Sequence, residues 1–218
     1  SFEVGFKGAF LDRTLFTNVA LFKSKYKNQQ VTVQVPSLAG GIASFVDNAG
    51  RGDIWGAELE LRAVPSPNFS MNAAVGYTNA DYKEFLTFIT GGTTPVDVAN
   101  AREFQNTPRF TASASATASG DLLGGTISFT PAVSLRSDAY MFEIPTPALD
   151  PDGYFLVDAS AAWTSPDDTF KLSVNLRNLT NERYRVGGYN FPGALFGNSI
   201  IGYYGPPRTA TFNIEYRF

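Results

Sequence analysis

The chain has 218 residues, 44% hydrophobic and 17% charged, with a formal net charge of −3 and neither cysteine nor histidine. This composition excludes a disulfide framework and a thiolate metal site. It also removes the commonest general base and carries no global basic field for nucleic acid. High glycine, phenylalanine and tyrosine contents (20, 19 and 10 residues) suit a strand-rich, turn-rich protein. No run of about 18 apolar residues encodes a membrane-crossing helix. The opening SFEVGFKGAF lacks the basic and apolar regions of a signal peptide and reads as already inside a strand, so the chain is expected to be part of a longer one.

The first predicted strand is Phe2 to Phe10, followed by a turn at Leu11–Asp12–Arg13 and a second strand from Leu15 to about Val35. The second strand exceeds the roughly 9–11 residues a tilted strand needs to cross hydrocarbon. Its polar part, from about Lys23, is expected to project beyond the membrane. Its phase is open, because Val19 and Leu21 suit one face and Ala20 and Phe22 the other. A turn at Ser37–Gly41 returns the chain through Ile42 to Ala63. Along it Trp55, Ala57, Leu59 and Leu61 alternate with Gly56, Glu58, Glu60 and Arg62. A basic residue on a lipid-facing side costs about 2–4 kcal/mol at the midplane, so Glu58, Glu60 and Arg62 are expected to face a lumen.

After the turn PSPN (Pro65 to Asn68), Phe69, Met71, Ala73, Val75 and Tyr77 form an outward face. A long irregular segment is expected from about Lys83 to Thr107. Phe110 to Ala118 and Ile127 to Leu135 form the next pair, with a turn at Gly120–Gly125 between them. Pro131 has no backbone donor and predicts a bulge or local break. The loop Ser137–Gly153 precedes an outward face of Phe155, Val157, Ala159, Ala161 and Trp163. The turn SPDD (Ser165 to Asp168) leads to Phe170, Leu172, Val174 and Leu176. A third long loop, about Asn181 to Pro206, precedes the terminal stretch PRTATFNIEYRF (Pro207 to Phe218). There Phe212, Ile214, Tyr216 and Phe218 share one side and Thr211, Asn213, Glu215 and Arg217 the other, as side chains alternate along a strand.

About nine strands result, joined alternately by short turns and longer loops. A soluble sandwich gives no reason for that regularity, whereas a transmembrane β-barrel has short turns on one side and long loops on the other. Trp163 and Phe69, beside short turns, suit an interfacial aromatic girdle. The expected fold is all-β, an antiparallel transmembrane β-barrel segment.

Several pieces resemble, in order, the C-terminal part of the barrel of TonB-dependent outer-membrane receptors. They are FEVGFKGAF (Phe2 to Phe10), GDIWGAELELRAVPSPNFSMNAAVGYTNADY (Gly52 to Tyr82), YFLVDASAAW (Tyr154 to Trp163), NLRNLTNERY (Asn175 to Tyr184) and PPRTATFNIEYRF (Pro206 to Phe218). The resemblance implies the last nine strands of a 22-stranded barrel, with the N-terminal plug domain and the first strands outside residues 1–218. It implies energised import of a scarce, bulky nutrient across the outer membrane of a Gram-negative bacterium. A ferric siderophore is the commonest cargo; cobalamin, haem and oligosaccharides are others. The implied partners are the TonB system acting through the plug, the lipid bilayer, and the outer-membrane insertion machinery. That machinery would read Phe212, Ile214, Tyr216 and Phe218 as an assembly signal.

Two groups of residues are candidates for function. Glu58, Glu60, Arg62, Arg136, Lys171 and Arg177 are expected as lumen-facing charges that form networks and contact the plug, with a substrate path as the alternative. Tyr189, Phe191, Phe196, Tyr203 and Tyr204 form an aromatic loop suited either to packing or to clasping a flat iron chelate. Asp150-Pro151-Asp152-Gly153 offers too few carboxylates for calcium. Asn178-Leu179-Thr180 is a strand-ending turn rather than a used glycosylation site, and Arg51-Gly52-Asp53 is an isolated tripeptide match. No nucleophile elbow or phosphate loop is present, so an enzyme, a metal or a cofactor is not expected. The competing readings are a passive porin-like channel, a non-transporting surface or adhesion barrel, and a barrel enzyme.

Overall fold

The computed structural model describes residues 1–36, 42–88, 94–191 and 197–218. Nine strands run as one antiparallel meander: β1 (Phe2–Phe10), β2 (Leu15–Pro36), β3 (Ile42–Ser66), β4 (Phe69–Thr87), β6 (Phe110–Leu122), β7 (Gly125–Arg136), β8 (Tyr154–Thr164), β9 (Phe170–Arg177) and β12 (Thr209–Tyr216). The short β5 (Val96–Asp97) pairs with the far end of β4, and β10 (Arg185–Phe191) with β11 (Ser199–Tyr204) makes a separate hairpin. The predicted turn at Ser37–Gly41 lies outside the described residues.

Register turns the alternation of each strand into two continuous faces. Phe6, Val19, Leu59, Val75, Ala112, Leu135 and Phe155 are successive cross-strand partners over seven strands, and all are apolar. The adjacent row is Lys7, Asn18, Glu60, Ala74, Ser113, Ser134 and Leu156. Because side chains alternate, a slip by one residue would exchange the two faces, so the sequence pattern pins the register. The open phase of β2 is thereby settled. Val19 and Leu21 partner Leu59 and Ala57 on the apolar face, while Ala20 and Phe22 partner Glu58 and Gly56 on the polar one. Phe22 fits there because Gly56 has no side chain: a Cβ would stand 2.5 Å from its ring.

The apolar face is uncovered. Phe2, Phe212 and Ile214 are 84%, 78% and 77% exposed, and Phe129, Met71 and Trp55 also face outward. An apolar surface this continuous marks an interaction with membrane or partner. At the short-turn end, Trp163 Nε1 donates to the Leu122 carbonyl at 2.8 Å, fixing the indole at the rim of this face. Among the described residues the only buried hydrophobics are Tyr82, Phe85, Ala139, Met141 and Leu149, all toward the long-loop end.

Pro131 gives a break without a bulge. The ladder between β6 and β7 skips from Ser115↔Ala132 to Ala118↔Phe129 without changing register, and β8 pairs straight through it as Pro131↔Ala159. The missing donor therefore removes ladder bonds on one side only, where the Thr117 and Thr130 hydroxyls meet at 2.9 Å.

Two expected loops contain more order than the pattern suggests. The segment predicted irregular from Lys83 begins as strand, since β4 continues to Thr87, and it then includes β5 and a 3-10 turn at Ala99–Ala101. The loop from Asn181 to Pro206 includes the β10–β11 hairpin. In both, tertiary contacts rather than periodicity supply the stabilisation.

Candidate functional site

The sheet gathers the candidate charges on one face. Glu58, Glu60 and Arg62 lie on β3, and Arg136, at the end of β7, is in the same cross-strand row as Glu58. Lys171 and Arg177 lie on β9 opposite Glu215 and Thr209 of β12. Glu60 accepts from Asn18 Nδ2 at 3.0 Å. Arg136 buries Nε and Nη2 without a hydrogen-bond partner. A groove of about 890 Å³ runs over this face, lined in part by Asn18, Glu60, Arg62, Asn72, Ser115 and Asp158. Its walls offer both charge signs among small hydroxyl side chains, a surface suited to a polar polypeptide or solute.

At the long-loop end the aromatic candidates divide. Tyr189 lies 5.7 Å from Phe191 and 5.9 Å from Tyr203, so these three rings form one cluster on one side of the hairpin. Tyr204 is apart, with the Arg183 guanidinium 4.2 Å over its ring. Phe196 lies outside the described residues. Tyr189, Tyr203 and Tyr204 are each about half exposed.

The residues that seat this hairpin escaped the sequence reading. Gly188 and Gly202 are direct cross-strand partners, and Leu149, 1% exposed, packs against both. Arg185 donates to the Ala148 carbonyl and, at 3.1 Å, to Asp152. Asp150 accepts from the backbone N–H groups of Met141 (3.0 Å) and Thr146 (2.8 Å). Asp150 and Asp152 thus brace a loop. Asn178 is a second hub: 4% exposed, it accepts from Glu182 N–H and donates to the carbonyls of Glu182 and Pro206. Its φ of 51° suits asparagine, as the turn reading expects.

The loops also hold one another. Glu103 N–H donates to the Glu143 carbonyl at 2.9 Å and Asn106 N–H to that of Tyr140 at 2.8 Å, while the Gln105 amide meets the Glu143 carboxylate. Behind them Tyr82 stacks on Phe104 at 4.2 Å and meets Phe85 edge-on at 5.1 Å. Burial, followed by the nearby Glu143 carboxylate, raises the Tyr82 pKa. The Asp97 carboxylate accepts from the N–H groups of Phe85 and Ala99, both at 3.0 Å, and these bonds hold its pKa below the usual range.

Residues 1–179 match the family described as TonB dependent receptor-like, beta-barrel. The chain belongs to this family. Over its whole length it is 26% identical to the ferric-pyoverdine 358 receptor of Pseudomonas putida, of which it spans 24%. The ferric yersiniabactin uptake receptor FyuA of Yersinia pestis superposes on 97% of the chain with a TM-score of 0.71 and 22% identity. The siderophore receptor PiuA of Acinetobacter baumannii superposes on 98% with a TM-score of 0.74 and 20% identity. The chain covers 28% of each of these two structures, and the likeness establishes a shared fold. Within this TonB-dependent receptor barrel, all six candidate charges fall inside the matched residues. The aromatic hairpin and β12 follow residue 179.

Proposed function

We propose that the chain is the C-terminal part of the barrel of a TonB-driven receptor that imports a ferric siderophore across the outer membrane of a Gram-negative bacterium. The observation that carries this reading is the full-length similarity to a ferric-pyoverdine receptor. The uncovered apolar face then meets lipid, and the polar face looks into the lumen. There Glu58, Glu60, Arg62, Arg136, Lys171 and Arg177 meet the plug. β1 and β12, each paired on one side among the described strands, take their second partners from strands outside residues 1–218. An open strand edge in hydrocarbon would leave backbone groups unsatisfied, which supports that completion. Phe212, Ile214, Tyr216 and Phe218 serve the insertion machinery, and Tyr189, Phe191 and Tyr203 contact the ligand at the mouth.

The test is uptake of radio-iron as ferric pyoverdine by iron-starved cells with and without the full-length receptor and an active TonB system. Uptake that needs both is expected. Uptake that persists without TonB, or ion conductance by the purified full-length protein, would replace the reading with a passive channel.

A further inference from the structure

We propose that Leu149 is the positioning residue of the aromatic hairpin: seated in a notch between Gly188 and Gly202, it holds β10–β11 so that Tyr189, Phe191 and Tyr203 face the ligand. This rests on the reading of those rings as ligand contacts. The notch exists because two glycines stand opposite each other in the hairpin. A Cβ at Gly188 would lie 2.6 Å from both Leu149 Cδ2 and the Ile201 carbonyl oxygen, so no larger residue fits there without displacement. At Gly202 the corresponding distance to Leu149 is 3.8 Å, an ordinary contact that completes the wall.

Alternation along β10 and β11 does the rest. Gly188 and Gly202 point to the Leu149 side, so the rings of Tyr189 and Tyr203 project to the other. The knob itself is braced, because Asp150 ties down the Met141 and Thr146 N–H groups and Arg185 closes the seat through Ala148 and Asp152. The same loop is bonded to Glu103 and Asn106, which link it to the Tyr82–Phe85 corner. A binding surface held in place before the ligand arrives loses less conformational freedom on binding. Leu149 therefore sets affinity without touching ligand.

The test uses the full-length receptor with spin labels at Ile144→Cys on the loop and Val186→Cys on the hairpin, both exposed sites. The parent is expected to give a narrow distance distribution, Leu149→Ala a broad one, and Leu149→Met the narrow one again. In cells, Leu149→Ala is expected to raise the half-saturating concentration of ferric pyoverdine about tenfold with the maximal rate kept. A distribution that stays narrow in Leu149→Ala overturns the proposal. Where Tyr189→Ala or Tyr203→Ala raises half-saturation, broadening in Leu149→Ala with half-saturation unchanged, or a loss confined to the maximal rate, overturns it as well. If Tyr189→Ala and Tyr203→Ala leave half-saturation unchanged while Leu149→Ala broadens the distribution, the ligand-contact reading fails and the seat stands. If the parent does not import ferric pyoverdine, the cargo reading fails and the labels alone decide the seat.

Discussion

The sheet and the loop end of this chain are stabilised in opposite ways. In the sheet, row after row of apolar side chains faces outward, and polar partners line the other side. Among the described residues no buried side chain knits those rows together, and ladder bonds join them. At the loop end the chain behaves like a small soluble domain. Tyr82, Phe85 and Leu149 are buried, carboxylates cap backbone N–H groups, and loops bond to loops. The boundary between the two regions falls along β4. Tyr77 still shares the apolar face with Trp55, 5.4 Å away, whereas Tyr82 stacks on a loop residue.

Substitutions that respect or cross this boundary would sharpen the contrast. The largest effect is expected from Phe85→Ala, which empties the corner at 2% exposure and costs about 3–5 kcal/mol locally. Hydrogen exchange should accelerate at Val98, which donates to the Phe85 carbonyl, and at Glu103, while the Leu59 and Val75 amides remain protected. Equal acceleration in both places would mean that the two regions unfold as one.

Val174→Arg and Asn175→Arg come next, because they place the same charge on opposite faces of β9. Val174 partners Phe212 on the apolar face, and Asn175 partners Thr211 on the polar one. The first is expected to cost about 2–4 kcal/mol and to reduce the heat-modifiable folded band in outer membranes, the second to leave it intact. A smaller loss is expected for Asn178→Ala, about 1–3 kcal/mol, since Glu182 N–H and two carbonyls lose their buried partner. Asn178→Gly tolerates the φ of 51° but restores no bond, so thermal melts of the two variants separate strain from hydrogen bonding.

The smallest effects are in pH. Asp167, in the short turn after β8, accepts from Ser165 Oγ at 2.6 Å and Thr169 N–H at 3.2 Å, and its pKa falls to about 2. Asp97 is lowered as well, by its bonds from Phe85 and Ala99. A lowered carboxylate stabilises above its unfolded pKa and loses that contribution as pH falls through the folded one. Protection of the Thr169 amide should therefore persist to about pH 2, and protection of Ala99 should fade below the usual carboxylate value of 3.8. Asp97→Asn should remove the pH dependence at Phe85 and Ala99 and leave that at Thr169 unchanged.

The sequence by itself determined the strands, their two faces and the alternation of short turns with long loops. Each is a local consequence of period-two patterning and turn chemistry, legible from residues such as Trp55, Glu58 and Phe212 without knowing what they touch. It also placed the candidate charges on the face opposite the apolar rows, as the register has them. Only the tertiary structure decided the phase of β2, where Phe22 sits on the polar face through the space left by Gly56. Tertiary structure also decided the order within the long loops. Leu149 and the Gly188–Gly202 pair are far apart in sequence and follow no shared period, so neither signals the other. A knob and its notch acquire meaning only when the chain brings them together.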